Sequence, residues 1–401
     1  MKLLVMNAGS SSQKSRLYEL PDLPESPPEP IWKANIDWTR ADGASLTVEG
    51  AGQVHHDTLK GLDKPTGIAK MLDTMWKGKT AVVSGPDEID GVGHRVVHGG
   101  SDYRQSVRIT DEVKAAIADL IPLAPSHNSA NLEGIQAVEQ RLGAAAPQVA
   151  VFDTAFHAEM PLPAQMYPVP YRWYKAGIRR YGFHGISHRY CAHKAAQLLG
   201  QDITGLKLIT CHLGNGCSLA AVDGGRSVNT TMGFTPLEGL MMGTRSGSVD
   251  PGVLIHMVRS QNYTVEHLDH LLNKESGLKG VSEVSNDMRQ IRQAIDQGNS
   301  QAQLALDLFI HRLQSEMGSM LMALGGLDAL VFTGGVGEHS PEVRQRACDA
   351  LSFLGCALDP DKNTHVTADG DVAAPEAKIR VLVVAAQEEW AIAQDCWHLM
   401  H

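Results

Sequence analysis

The sequence predicts an α/β protein of two domains built on a common plan, and three observations lead there. The chain has 401 residues, beyond the size at which a single hydrophobic core stops growing. An apolar strand, a turn of small residues and a second strand occupy Leu3–Leu20 and recur at Leu206–Val222. Between and after these hairpins, apolar runs of strand length alternate with segments of helical period.

In the first half, Leu3–Met6 pairs with Ser15–Leu20 across the loop Asn7–Lys14, a strand, Gly/Ser turn and strand. Residues 21–30 hold five prolines and three carboxylates, a solvated loop, and short strands run on to about Trp38. Helical spacing marks Asp111–Ile121 and Ser129–Leu142, and the apolar strand Gln148–Phe152 ends in Asp153. The plan restarts after Pro161-Leu162-Pro163. Leu206–Cys211, the loop His212–Ser218 and Leu219–Val222 repeat the opening hairpin. A long amphipathic helix is predicted over Ser300–Leu324, with Leu304, Leu308, Phe309, Leu313, Met317, Met320 and Leu324 on its apolar face. The strand Leu327–Thr333 leads into the glycine turn Gly334–Gly337, and Pro341 stands where a helix starts. A last strand, Ile379–Val384, precedes a C-terminal helix from about Glu388.

Composition excludes several classes. Hydrophobic residues make up 43% and charged residues 20%, ordinary for a globular protein. A net charge of −10 argues against a general nucleic-acid or membrane-surface binder, so an anionic substrate must be met by local cations. The six cysteines form no C-x-x-C pair and read as reduced thiols of a cytoplasmic protein. The N-terminal apolar run is too short for a signal-peptide core or a membrane span.

No G-x-x-x-x-G-K-[ST] loop is present, and Gly78-Lys79-Thr80 lacks the upstream glycine. Small-residue turns instead follow three strands, at Asn7–Ser12, Gly214–Ser218 and Gly334–Gly337. Such turns suit a cleft that grips a polyphosphate with backbone N–H groups. Arg95, His184 and Arg245 are each flanked by glycines, which lets backbone approach a ligand beside a positive or imidazole group. Asp153 ends an apolar strand, where open α/β sheets place ligand contacts. The pairs His94/His98 and His184/His188 are spaced by four but lack the H-E-x-x-H form, so no zinc site is read there. No G-x-S-x-G elbow occurs.

These motifs resemble the acetate kinase family along nearly the whole chain. The matching stretches are Asn7–Ser12, Gly93–Gly100, Phe152–His157, Arg180–Gly185, His212–Gly216, Met232–Leu240, Gly243–Arg245 and Phe332–Glu338. The resemblance implies two related actin-like (ribonuclease H-like) α/β domains with an active-site cleft between them. Residues 1–156, completed by a C-terminal helix at 390–401, form the first. Residues 157–389 form the second, which binds nucleotide and dimerises. It implies reversible, magnesium-dependent phosphoryl transfer from ATP to acetate, giving acetyl phosphate and ADP, with manganese as a substitute metal, in a cytoplasmic homodimer that binds neither nucleic acid nor membrane.

By position, Asp153, His184, Arg245 and Arg95 become catalytic. Arg95, Val97, Phe183, Pro236 and His127 become the carboxylate and acyl site. Asn7 and Glu388 take the magnesium positions. The nucleotide segments are Lys14, then His212, Leu213, Gly214, Asn215 and Gly216, then Asp287, Met288 and Arg289, then Gly335, Val336, Gly337, Glu338 and His339. Guanidinium suits both a carboxylate and a phosphoryl group, and the acceptor carboxylate, already anionic, needs no strong base.

Four departures from the family pattern stand out. Ser126 replaces a leucine and is expected to enlarge the acyl pocket, while Val97 keeps the bulk associated with acetate. His339 replaces an asparagine at the adenosine turn, Gln387 stands where asparagine is common, and Ser248-Val249-Asp250 is less acidic than usual. A propionate or other short-chain acyl kinase would share nearly every motif. A non-catalytic actin-like ATP-binding protein would predict an added client-binding domain.

Overall fold

The computed structural model describes residues 1–9, 12–39, 43–367 and 369–401, with the side chain of Ser126 outside the described set. The chain divides into two compact units, Met1–Ala155 with Gln387–His401, and Phe156–Ala386.

The first unit is built on a sheet of eight strands. They are β1 (Lys2–Ala8), β2 (Ser12–Glu19), β3 (Trp32–Asp37), β4 (Ala44–Gly50), β5 (Gln53–Leu59), β6 (Gly91–Val96), β7 (Val107–Arg108) and β8 (Gln148–Phe152). Their spatial order is β5-β4-β3-β2-β1-β6-β8-β7. β1 runs antiparallel to β2 but parallel to β6, and β6 is parallel to β8. Every side chain of β8 is buried, as a parallel strand covered on both faces requires. Trp32, Ile36, Leu46, Val48, Met71 and Leu72 lead the core on one side of the sheet.

The C-terminal helix Glu388–Met400 belongs to this unit and lies on β6 because two glycines leave room for it. A Cβ on Gly93 would stand 2.7 Å from Ile392 Cγ2, and one on Gly91 would stand 2.3 Å from Met400 Cε. Ser106 Oγ donates to Asp395 Oδ2 (2.5 Å) and Arg108 Nη2 to the Leu399 carbonyl (2.9 Å), tying the helix down further. Gly93→Val is therefore expected to destabilise the protein by about 2 kcal/mol or more, since overpacking a tight contact forces backbone shifts. Equilibrium denaturation measures it, and an unchanged midpoint would show that the helix is not seated there.

The second unit repeats the plan. Its strands are β9 (Lys207–Leu213), β10 (Cys217–Asp223), β11 (Arg226–Thr230), β12 (Ala329–Thr333), β13 (Gly370–Asp371) and β14 (Arg380–Val383), in the order β11-β10-β9-β12-β14-β13. β9 is antiparallel to β10 and parallel to β12, which is parallel to β14. The run β3-β2-β1-β6-β8 thus has the same directions as β11-β10-β9-β12-β14, so the two hairpins seen in sequence occupy equivalent places. The helix Gly185–Leu199 presents Cys191, Ala192, Ala195 and Ala196 to this sheet.

Several elements depart from the sequence reading. Asn7 and Ala8 continue β1, paired with Lys14 and Gln13, so the first turn is shorter than Asn7–Lys14. Ser10 and Ser11 of that turn lie outside the described residues. Gly334–Gly337 is not an open turn but opens the short helix Gly334–His339, where Glu338 Oε1 accepts from Gly334 N at 2.9 Å. The helix predicted from Ser129 starts at Pro125, since proline is suited to a first helical turn. Leu304 is 55% exposed. The buried face of Ser300–Leu324 instead runs through Leu306, Phe309, Ile310, Leu313, Met317, Met320 and Leu324, steps of three and four that Leu304 does not join. Residues 251–299, for which no element was expected from sequence pattern, hold four helices.

Candidate active site

In the first unit the carboxyl ends of three parallel neighbours, β1, β6 and β8, carry Asn7, Arg95 and Asp153. Arg95 Nη2 lies 2.7 Å from Asp153 Oδ2, with the two side chains only 13% and 2% exposed. Asp153 is fixed by its backbone as well, its N–H donating to the Val96 carbonyl at 2.9 Å. Burial by itself would lower the Arg95 pKa, but the Asp153, Glu388 and Glu389 carboxylates outweigh it and raise the value. The guanidinium is therefore always charged. Among the described residues its Nε is buried without a hydrogen-bond partner.

Asn7 Nδ2 donates to Glu388 Oε2 (3.0 Å) and to Glu389 Oε1 (2.9 Å), and both carboxylates sit in the first turn of the C-terminal helix. Asn128 and Asn131 hold the segment after β6. Asn131 Oδ1 accepts from Val97 N at 3.0 Å, and Asn128 Oδ1 accepts from His98 N at 3.1 Å. Lys14 lies across the hairpin from Asn7. Val97 is buried, and His127 is half-buried near the start of the helix Pro125–Leu142. The expectation placed on Ser126 concerns a side chain outside the described residues.

In the second unit, Gly214-Asn215-Gly216 closes the tight β9–β10 hairpin. Two groups meet at Gly216, where a Cβ would be 3.4 Å from His184 Nε2 and 3.6 Å from Arg245 Nη1. A glycine here lets a ligand reach both. Arg245 Nη1 donates to the Pro236 carbonyl at 2.8 Å. Arg180 holds that loop, its Nη1 donating to the Thr231 and Met232 carbonyls (2.9 and 3.0 Å) and its Nη2 reaching Glu238 Oε1 at 2.5 Å. Tyr167 donates to the same carboxylate. Arg180, Glu238 and Tyr167 were not singled out as site residues by the sequence. The first two stand inside motifs that carried the resemblance.

His184 precedes the helix Gly185–Leu199 with φ of 57°, a left-handed conformation that is uncommon for a residue with a side chain and costs energy to hold. Its ring stacks on His212, centroids 4.2 Å apart. Ser218 Oγ lies 2.8 Å from His184 Nδ1 and 2.7 Å from His188 Nε2. His157 Nε2 donates to the Phe183 carbonyl (3.1 Å), fixing the backbone just before His184. The spacing of His184 and His188 was visible in the sequence, but not the serine between them.

Burial pushes the His157 pKa down to about 4, and that of His94, bonded to Gln148, down to about 4 as well. Both rings are neutral in the fold, whereas an unfolded histidine titrates near pH 6.5. Between these values the unfolded chain holds more protons, so stability is full above about pH 6.5 and falls as pH drops towards 4. Denaturation midpoints at pH 7.5, 6 and 5 are expected to decline in that order. A flat profile would mean the rings are not held neutral.

A cavity of about 900 Å³ opens in the second unit beside the hairpin turn, a volume typical of small-molecule sites. Gly214, Asn215, Asp287, Met288, Arg289, Gly335, Val336 and His339 line it, joined by Asn286, Arg292 and Glu342. Asp287 caps the helix Met288–Asp296 and pairs with Arg289 at 2.6 Å. Arg292 Nη1 meets Glu342 Oε2 at 2.5 Å. His212, Leu213, Gly216, Gly337 and Glu338 are not among its lining residues. The Glu338 carboxylate is turned to backbone, accepting from Gly334 N and Ala386 N.

The two α/β units share one plan, and the second sets a glycine hairpin against an arginine and a histidine beside a nucleotide-sized cavity, the arrangement a phosphotransferase needs. The sequence profile of the Acetokinase family matches residues 2–394, and the chain belongs to that family, whose members are phosphotransferases with a carboxyl group as acceptor. It is 60% identical over 400 residues to the acetate kinase of Gloeobacter violaceus, covering 99% of each chain. It superposes on the crystal structure of Porphyromonas gingivalis acetate kinase with a TM-score of 0.91 and 40% identity, covering 100% of both chains. A propionate kinase from Francisella tularensis has a TM-score of 0.90 at 36% identity, covering 99% of each chain.

Proposed function

We infer that the chain transfers a phosphoryl group reversibly between ATP and acetate, with Arg95, Asp153, His184 and Arg245 as its catalytic groups. The observation that carries the assignment of roles is the approach of His184 and Arg245 to one side-chain-free position, Gly216. An acetate oxygen attacks the γ-phosphorus of ATP. The bond from that phosphorus to the β,γ-bridging oxygen breaks, and the oxygen leaves with ADP. No proton has to be removed from the carboxylate, so catalysis rests on position and charge.

Arg245 holds the phosphoryl group, and His184 stabilises charge on an equatorial oxygen. Arg95 holds the acceptor carboxylate, as guanidinium geometry favours. Its 2.7 Å pair with Asp153 supports an orienting role for that carboxylate. Val97, Phe183 and Pro236, with His127, are assigned to the acyl group. The cavity beside Asn215 and Asp287 is assigned to the adenosine of ATP or ADP, with His339 on its wall.

Magnesium fits the chemistry of the first unit. Asn7, Glu388 and the adjoining Glu389 offer only oxygen ligands of the hard type it prefers, and it commonly binds through one or two carboxylates plus substrate phosphate and water. Asn7 and Glu388 would hold it, and it would neutralise phosphate charge; manganese is expected to substitute. A homodimer is also proposed. The helix Pro251–Gln261 buries none of its residues and exposes Val253, Ile255 and Val258, apolar surface suited to a second copy. Ile255→Asp is expected to yield monomers by light scattering, and an unchanged mass would remove this helix from the interface. A cytoplasmic setting agrees with six free, buried cysteines.

The deciding experiment is acyl-phosphate formation from ATP and magnesium with acetate, propionate and butyrate. Acetate is expected to give the highest kcat/KM, and a higher value for propionate would overturn the choice of substrate. The family pattern at Ser126 motivates a second test, in which Ser126→Leu raises the acetate-to-propionate ratio of kcat/KM. An unchanged ratio would remove Ser126 from the pocket.

A further inference from the structure

We propose that Thr210, His188 and Ser218 are positioning residues that hold the His184 ring in its Nδ1–H tautomer. The proposal rests on the assignment of His184 to the transferring phosphoryl group. All three residues are fully buried, and they form one hydrogen-bonded chain. His188 Nδ1 lies 2.7 Å from Thr210 Oγ1, His188 Nε2 lies 2.7 Å from Ser218 Oγ, and Ser218 Oγ lies 2.8 Å from His184 Nδ1.

The direction of the chain follows from what each atom can do. The Ala220 carbonyl oxygen can only accept, and Thr210 Oγ1 donates to it at 3.4 Å. With its one proton used, Thr210 accepts from His188 Nδ1–H. Burial drives the His188 pKa well below its ordinary value, with the neighbouring His157 and His212 acting in the same direction. Neutral His188 then presents a lone pair at Nε2, which takes the Ser218 proton. Ser218 has no second proton, so it must accept from His184 Nδ1–H. The reverse direction would leave Thr210 with nothing to give Ala220.

The consequence concerns charge. With Nδ1 carrying the proton of the neutral ring, His184 Nε2 can donate a hydrogen bond only after the ring takes a second proton. His184 therefore meets the phosphoryl oxygen as a cation, not as a neutral donor. The hydrogen bond from Nδ1 to Ser218 selects that behaviour, as it does for histidine ligands whose other nitrogen is tied down.

The test uses the full-length protein labelled with 15N-histidine, the His184 signals being assigned by their loss in His184→Gln. Wild type is expected to show a protonated Nδ1 and an unprotonated Nε2 for neutral His184. Ser218→Ala is expected to move the proton towards Nε2 and to lower kcat by roughly 10–100-fold with both KM values nearly unchanged. Ser218→Thr should restore both readouts. Thr210→Val, remote from the His184 ring, should shift the tautomer too, and serves if Ser218→Ala fails to fold. An Nε2–H tautomer in wild type overturns the proposal. So does an unchanged tautomer and kcat in the Ser218 and Thr210 variants while His184→Gln loses activity. Full activity in His184→Gln overturns the assignment of His184 itself, and the proposal with it.

Discussion

Arg245→Ala is expected to lower kcat by about two to three orders of magnitude while leaving the denaturation midpoint within a few degrees of wild type. Removing a preorganised positive group from a developing phosphoryl charge typically costs about 3–4 kcal/mol of transition-state stabilisation. The fold has less to lose, because Arg245 is half-buried and the hydrogen bond from Nη1 goes to a loop carbonyl, that of Pro236. Arg95→Ala behaves differently. It too is expected to abolish most turnover, but it takes the guanidinium from the 2%-exposed Asp153 carboxylate, and breaking a buried pair from one side costs about 3–5 kcal/mol. The buried ion pair of Arg95 separates the two arginines. Turnover and denaturant midpoints for both variants, with Arg95→Ala/Asp153→Asn as the stability control, give the comparison. Near-wild-type kcat in both single variants would remove the catalytic assignment.

Arg344→Ala is expected to be among the most destabilising single changes, at about 3–5 kcal/mol. Only 1% exposed, its guanidinium donates to the carbonyls of Gly337 and Glu338 (both 2.8 Å) and to the carbonyl and side chain of Asn363 (2.5 and 2.8 Å). No carboxylate pairs with it among the described residues, and burial holds its pKa below the usual arginine value. Its removal leaves buried carbonyls without donors, each expensive in a dry interior. The short helix Gly334–His339 that it anchors carries Gly335, Val336 and His339 to the cavity proposed for the nucleotide. The KM for ATP should therefore rise several-fold where the variant still folds. An unchanged unfolding midpoint would show that those carbonyls find other donors.

Much of this protein was legible because its signals are local. The hairpin Leu3–Leu20 and its echo at Leu206–Val222 are apolar alternation around small residues, which hydrogen bonding between near neighbours converts directly into structure. The motifs around Arg95, Asp153, His184 and Arg245 led to the family, and the apolar run Gln148–Phe152 correctly put Asp153 at a strand end. Errors arose where local preference was outvoted. Gly334–Gly337 looked like a turn, yet Glu338 capping and Arg344 on its last carbonyls make it a helix. Leu304 looked like core, but the sheet covers only one stripe of its helix.

Sequence by itself therefore determined many of the elements, the doubled plan and the kind of chemistry, all of which are written in contiguous residues. Tertiary structure decided which groups meet: Arg95 with Asp153, Asn7 with Glu388 (and Glu389), and His184 with Ser218. Those partners are 58, 381 and 34 residues apart, and a hydrogen bond between distant parts of the chain leaves no period or composition to read. Its energy depends on distance and burial, which only the packed chain sets.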